Sequence, residues 1–135
     1  MTNPADVSHR PFALLVTHAT LGAEFLRTVE AILGAQSDVS IVSNEGISSD
    51  ALTRSIEERV LSIPDGRPVV IFTDLAAGSC GIASRRAAYG DRVVGKITGA
   101  NLPMLLEFFH YRDTLPLEEL LPRLESKGKA GITVS

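Results

Sequence analysis

Continuous apolar runs alternate along the chain with stretches whose apolar residues recur every three or four positions. Residues 12–17 (FALLVT) and 68–73 (PVVIFT) are apolar up to a closing threonine, as expected of strands covered on both faces. Shorter runs predict two more strands, at residues 39–42 and at residues 91–97, the latter interrupted by Gly95. Between the first two, Leu21, Phe25, Leu26, Val29, Ile32 and Leu33 line one face of a helix, with Gly34 as its stop. Ser48-Ser49-Asp50 offers N-caps for a helix carrying Leu52, Ile56, Val60 and Leu61. Pro64-Asp65-Gly66 reads as a turn. Further helices are predicted from Ser79 to about Ala88, ahead of Gly90, and from Pro103 through Phe108. A last helix runs from Pro116 through Leu124 to a stop at Gly128, and Ile132-Thr133-Val134 is read as a closing strand.

Strands alternating with helices predict a three-layer α/β/α sandwich with a mainly parallel sheet. The expected strand order is 2-1-3-4, with the C-terminal strand added antiparallel. Residues 1–11, polar with two prolines, are expected to be a loose arm, and residues 12–135 a single domain. In such sheets ligands gather beyond the carboxyl ends of the strands, where the winding direction reverses. That reversal falls between the first and third strands. It places Thr17-His18 beside Thr73-Asp74 although the two pairs are far apart in sequence.

Composition narrows the function classes. Of 135 residues, 44% are hydrophobic and 21% charged, which is globular rather than disordered. A net charge of −3 gives no electrostatic reason to expect nucleic acid or an anionic membrane surface as partner. One cysteine forms no internal disulfide, which fits a reducing cytoplasm. No apolar run reaches membrane-spanning length, and the opening residues lack a basic segment followed by an apolar one, so no signal peptide is expected.

The chemistry centres on His18. An imidazole attacks with one ring nitrogen when a carboxylate holds the proton on the other, and Asp74 is the carboxylate that the topology supplies. Small residues follow Asp74, through Gly78-Ser79-Cys80-Gly81, where backbone N–H groups and the Ser79 hydroxyl can approach an anion at a helix start. Against this stands a plainer reading, in which His18 is a turn residue and Asp74 a helix cap. His9 lies in the polar arm and His110 follows a helical run, so neither competes. Gly90 to Lys96 matches the front of a phosphate-binding loop, but Ile97 stands where Ser or Thr is needed. A nucleotide or small-molecule binder with Gly95-Lys96 near a phosphate is the weaker reading. Cys80 is expected to be a small buried residue, and Arg85 and Arg86 to lie on a solvated helix face. No ligand spacing points to a metal site, and no cofactor is expected.

Three segments, LLVTHATLGAEFLRTVEAILG, VVIFTDLAAGSC and GANLPMLLE, together resemble the enzyme IIA component of the mannose-type sugar phosphotransferase system. The resemblance implies that His18 accepts a phosphoryl group and that Asp74 holds its ring. Thr73, Gly78 and Ser79 would line the phosphate site. It further implies HPr as phosphoryl donor and a homodimer that exchanges its C-terminal strands. The implied acceptor is a separate IIB component or, in a regulatory role, another protein. The sequence departs from the family at Val16 and Ala19, where glycines usually flank the Thr-His pair. It departs again at Ala76, Ala77 and Cys80, in place of an aromatic residue, glycine and proline. Ala77 for glycine is expected to narrow that loop's access to positive φ.

Overall fold

A computed structural model describes residues 10–64 and 66–135 of the chain. His9 and most of the expected arm lie outside them, as does Asp65 of the expected turn. Four strands, β1 (Phe12–Thr17), β2 (Val39–Ser43), β3 (Val69–Thr73) and β4 (Val93–Ile97), form one sheet in the order β2-β1-β3-β4. All three pairings are parallel, with Thr17 opposite Ser43 and Val16 opposite Thr73. Among the described residues five helices flank the sheet: α1 (Leu21–Leu33), α2 (Ser49–Ser62), α3 (Ser79–Arg86), α4 (Leu102–Tyr111) and α5 (Leu117–Ala130).

The continuous apolar runs have a simple cause. Alternate residues of the central strands point into two separate cores. Leu14, Val16, Val69 and Ile71 pack with Leu52, Ile56, Val60 and Ala83 of α2 and α3. Ala13, Leu15, Val70 and Phe72 pack with Val29, Leu105, Phe108, Leu120 and Leu124 of α1, α4 and α5. With both faces covered, the backbone at the strand ends has few ways to move, and residues just beyond those ends inherit fixed positions.

Local signals match the elements they predict. Ser48 caps α2 by accepting from the Ala51 N–H at 3.1 Å, and Asn101 caps α4 by accepting from the Met104 N–H at 3.1 Å. Arg10 and Pro11, at the end of the expected arm, are tied down: Arg10 pairs with Asp38 and Asp113, and Arg112 donates to the Pro11 carbonyl.

Three expectations need correction. Gly128 does not stop the last helix, which runs on to Ala130. It is buried, and a side chain there would meet the Met104 methyl at 2.7 Å, so the glycine serves close packing of α5 on α4. Residues 132–135 form no strand: Ile132 is 74% exposed and Val134 is 96% exposed. An alternating apolar pattern marks a strand whether or not a partner lies within the same chain, and here none does among the described residues. Helix α3 ends at Arg86 rather than near Ala88, because Ala87 turns to extended backbone and the Ala88 N–H goes to the Glu57 carboxylate.

Candidate active site

Strand β1 delivers His18 and strand β3 delivers Asp74 at the point where the winding reverses. Asp74 grips His18 twice. Its Oδ2 accepts from the His18 main-chain N–H at 2.9 Å, and its two oxygens lie 2.9 and 3.1 Å from ring Nδ1. The carboxylate is nearly buried, with its side chain 8% exposed, while the His18 ring is 33% exposed. An acceptor-only carboxylate fixes the proton on Nδ1. Nε2 is then the nitrogen with the free lone pair, and it faces Ser79 and Gly78.

Two residues from the start of α3 stand in front of that nitrogen. The Ser79 hydroxyl is 3.4 Å from Nε2. Gly78 is the N-cap of α3 at φ 94°, and a side chain there would sit 3.4 Å from ring atoms Cε1 and Nε2. Glycine thus meets both the backbone angle and the space requirement at this point. Because it also offers no side-chain cap, the first turn of α3 presents its N–H groups uncapped by a side chain, next to the imidazole.

The structure therefore brings together four of the five expected site residues: His18, Asp74, Gly78 and Ser79. Thr73 lies beneath them. It is buried, and its hydroxyl donates to the Leu75 carbonyl at 3.2 Å, shaping the turn that presents Asp74. On the other strand, the Thr17 hydroxyl accepts from the Gly22 N–H at 2.7 Å and fixes the start of α1.

Sequence reasoning missed Asn44, which follows β2. Its amide accepts from the Ala19 N–H at 3.0 Å and donates to Ser79 Oγ at 3.0 Å. The signal was available: in the order 2-1-3-4 the second strand runs beside the first, so its end shares the same edge. Ala19 itself adopts φ 49°, the left-handed region that favours glycine. Ala77 is not among the residues at positive φ, so the replacement that bears backbone strain is the one next to the histidine.

Other candidates resolve by contact. Cys80 is buried, and burial followed by the charge of Asp74 pushes its thiol up to about 11. Donor atoms of His18, Asp74 and Cys80 lie within 4.8 Å of one another, a set that could meet around a cation. As they stand, His18 Nδ1 is held by Asp74, and the neutral, buried Cys80 thiol lies beside that pair. Arg85 donates to the Ala76 carbonyl at 2.7 Å and so braces the loop after Asp74. His110 is exposed on α4. Gly95 and Lys96 belong to strand β4, not to a phosphate-binding loop.

Residues 13–125 match the family model for EIIA-man, the PTS system fructose IIA component. The chain belongs to this mannose-type IIA family of the phosphotransferase system. Its members are phosphotransferase phosphoryl carriers. The IIA chain is 26% identical over 118 residues to the mannose-specific EIIAB component of the PTS system of Escherichia coli strain K12. That alignment covers 86% of this chain and 36% of the relative, so the chain spans about a third of the curated relatives it matches. In fold it is similar to phosphotransferase system component EIIA from Streptococcus agalactiae, at a TM-score of 0.81 and 23% identity, covering 92% of this chain and 96% of that one. It is also similar to the mannose/sorbose specific IIA subunit from Enterococcus faecalis, at a TM-score of 0.70 and 22% identity, covering 93% and 95%. Among the described residues no helix is long and apolar enough to cross a membrane.

Proposed function

We propose that this chain is a cytoplasmic phosphoryl carrier that accepts a phosphoryl group from HPr on Nε2 of His18. The group then passes to a IIB component in sugar uptake. The observation that carries this reading is the pairing of Nδ1 with the buried Asp74 carboxylate, which leaves Nε2 open beside Ser79. The Nε2 lone pair attacks phosphorus on the donor's phosphohistidine as the donor's N–P bond breaks. The positive charge that develops on the ring is met by Asp74. Ser79 and the first turn of α3 meet the phosphoryl oxygens, and Gly78 leaves room for them. Transfer to IIB reverses these steps on the acceptor.

The proposed carrier is a homodimer. Strand β4 pairs only with β3 among the described residues, and an unpaired strand edge invites another strand. Beside that edge lies a cleft of about 570 Å³ lined by Gly95, Ile97, Leu121, Pro122 and Ile132. Ile132 and Val134 are exposed, and in the proposed dimer the Ile132-Thr133-Val134 segment of a second copy pairs with this edge. Deleting residues 132–135 then converts the dimer to a monomer in sedimentation.

Incubation with phosphoenolpyruvate, enzyme I and HPr, followed by intact mass measurement, tests the carrier reading. One acid-labile phosphoryl adduct is expected, absent from His18→Ala. An unmodified wild-type chain would sink the proposal.

A further inference from the structure

We propose that Asn44 is a positioning residue that aims the Ser79 hydroxyl proton at Nε2 of His18 and, after transfer, at the phosphoryl oxygens. This inference rests on the carrier reading of His18. The direction of each bond follows from the identity of donors and acceptors. The Ala19 N–H is a donor, so the Asn44 atom 3.0 Å from it is the amide oxygen. The Asn44 NH₂ group, which only donates, is thereby turned to Ser79 Oγ at 3.0 Å. Ser79 Oγ accepts that bond and keeps its own proton, for which the acceptors at hand are Nε2, 3.4 Å away, and the neutral Cys80 sulfur, the weaker of the two. On the far side of the ring, Asp74 accepts the hydrogen bond of the Nδ1–H. The hydrogen bonds thus run in one direction from a backbone N–H to the nucleophilic nitrogen. Once Nε2 carries phosphorus its lone pair is gone. The Ser79 O–H then turns to a phosphoryl oxygen without disturbing its bond from Asn44.

The sheet places Asn44 with little freedom. Ser43 pairs with Thr17 in register, and the Asn44 N–H donates to the Thr17 carbonyl at 3.3 Å. Ser43 assists: its hydroxyl donates to the Ala19 carbonyl at 2.7 Å and accepts from the Glu45 N–H at 3.1 Å. Ser43 and Asn44 therefore hold both polar backbone groups of Ala19, the residue at φ 49°. One amide fixes the strained residue next to the nucleophile and the hydroxyl in front of it.

The test uses the full chain, labelled with 15N-histidine, as wild type, Asn44→Asp, Asn44→Ala, Ser79→Ala and the Asn44→Ala/Ser79→Ala double variant. Aspartate keeps the shape and the Ala19 contact but accepts from Ser79, turning the proton away from Nε2. Phosphorylation by phospho-HPr is expected to slow about 100-fold in Asn44→Asp, the scale of losing a donor to a developing anion. Asn44→Ala slows it about tenfold, the scale of one hydrogen bond, and costs less once Ser79 is alanine, only the Ala19 contact then being lost. In the unphosphorylated protein the Nε2 resonance of His18 shifts in Asn44→Asp in the same direction as in Ser79→Ala. An Nε2 resonance unmoved by Asn44→Asp, or an Asn44→Ala loss that persists in full without the Ser79 hydroxyl, overturns the proposal. If Asn44→Ala fails to fold, the aspartate variant and the resonance comparison decide alone. A wild-type chain that takes no phosphoryl group overturns the carrier reading instead, while the resonance comparison still decides Asn44.

Discussion

At the amino end of the sheet, Arg112 is 2% exposed and donates to the Pro11, Ser37 and Asp38 carbonyls and to the Gln36 side chain. Its guanidinium lies 4.9 Å from the centre of the Phe109 ring, and Arg10 and Arg67 pair with Asp38 beside it. At the carboxyl end, the His18 ring is one-third exposed, with one nitrogen bound to Asp74 and the other beside the Ser79 hydroxyl. Both ends gather charged groups from segments remote in sequence. The amino-end cation spends its donors on backbone that would otherwise go unsatisfied, which is a structural use. The carboxyl-end base leaves one lone pair open behind a hydroxyl, which is the arrangement a nucleophile needs.

Substitutions separate the two ends most sharply where each is most committed. Arg112→Met should lower unfolding free energy by about 3 kcal/mol, because several buried acceptors lose their donor. Phosphoryl acceptance by the protein that remains folded should stay at the wild-type rate. Chemical denaturation paired with a rate measurement below the transition checks both halves. Asp74→Asn should do the reverse. The amide no longer dictates the Nδ1 tautomer, so phosphorylation slows by about 100-fold, read from the time course of the phosphoryl adduct.

A smaller effect concerns Cys80, buried just behind the site. Its thiol is pushed up to about 11 in the fold from an ordinary 9.0, so between these values the unfolded chain has lost a proton that the folded chain keeps. Stability therefore falls as pH rises through that window, by about 1.4 kcal/mol per pH unit. The difference between wild type and Cys80→Ala in denaturation from pH 8 to pH 11 isolates this contribution. Smallest is Ala19→Gly, which relieves an L-residue of φ 49° and should raise stability by up to about 1 kcal/mol in the same assay.

The sequence made the framework legible because the central strands are apolar on both faces and helices α2 and α4 carry their own side-chain caps. Helix α1 falls at Leu21–Leu33, where apolar spacing and Gly34 place it. Gly128 misled because a glycine reads alike as a helix stop and as a close-packing point, and only the nearness of Met104 distinguishes them. The closing Ile-Thr-Val misled because pairing needs a neighbour that periodicity does not reveal. His18 and Asp74 could be joined from topology, since both follow central strands. The same strand order brings Asn44 to this edge, but it does not give the side chain its partners. Its amide matters through one register step between β1 and β2 and through the left-handed turn at Ala19, neither of which composition encodes. Ala77 shows the converse: a replacement conspicuous in sequence lies where no positive φ is required.

The most direct measurement is the 15N spectrum of the histidine side chains after phosphoryl transfer from HPr. The account predicts phosphorus on Nε2 of His18, with Nδ1 still protonated against Asp74. Phosphorus on Nδ1, or an unmodified His18 imidazole in the phosphorylated protein, would contradict it.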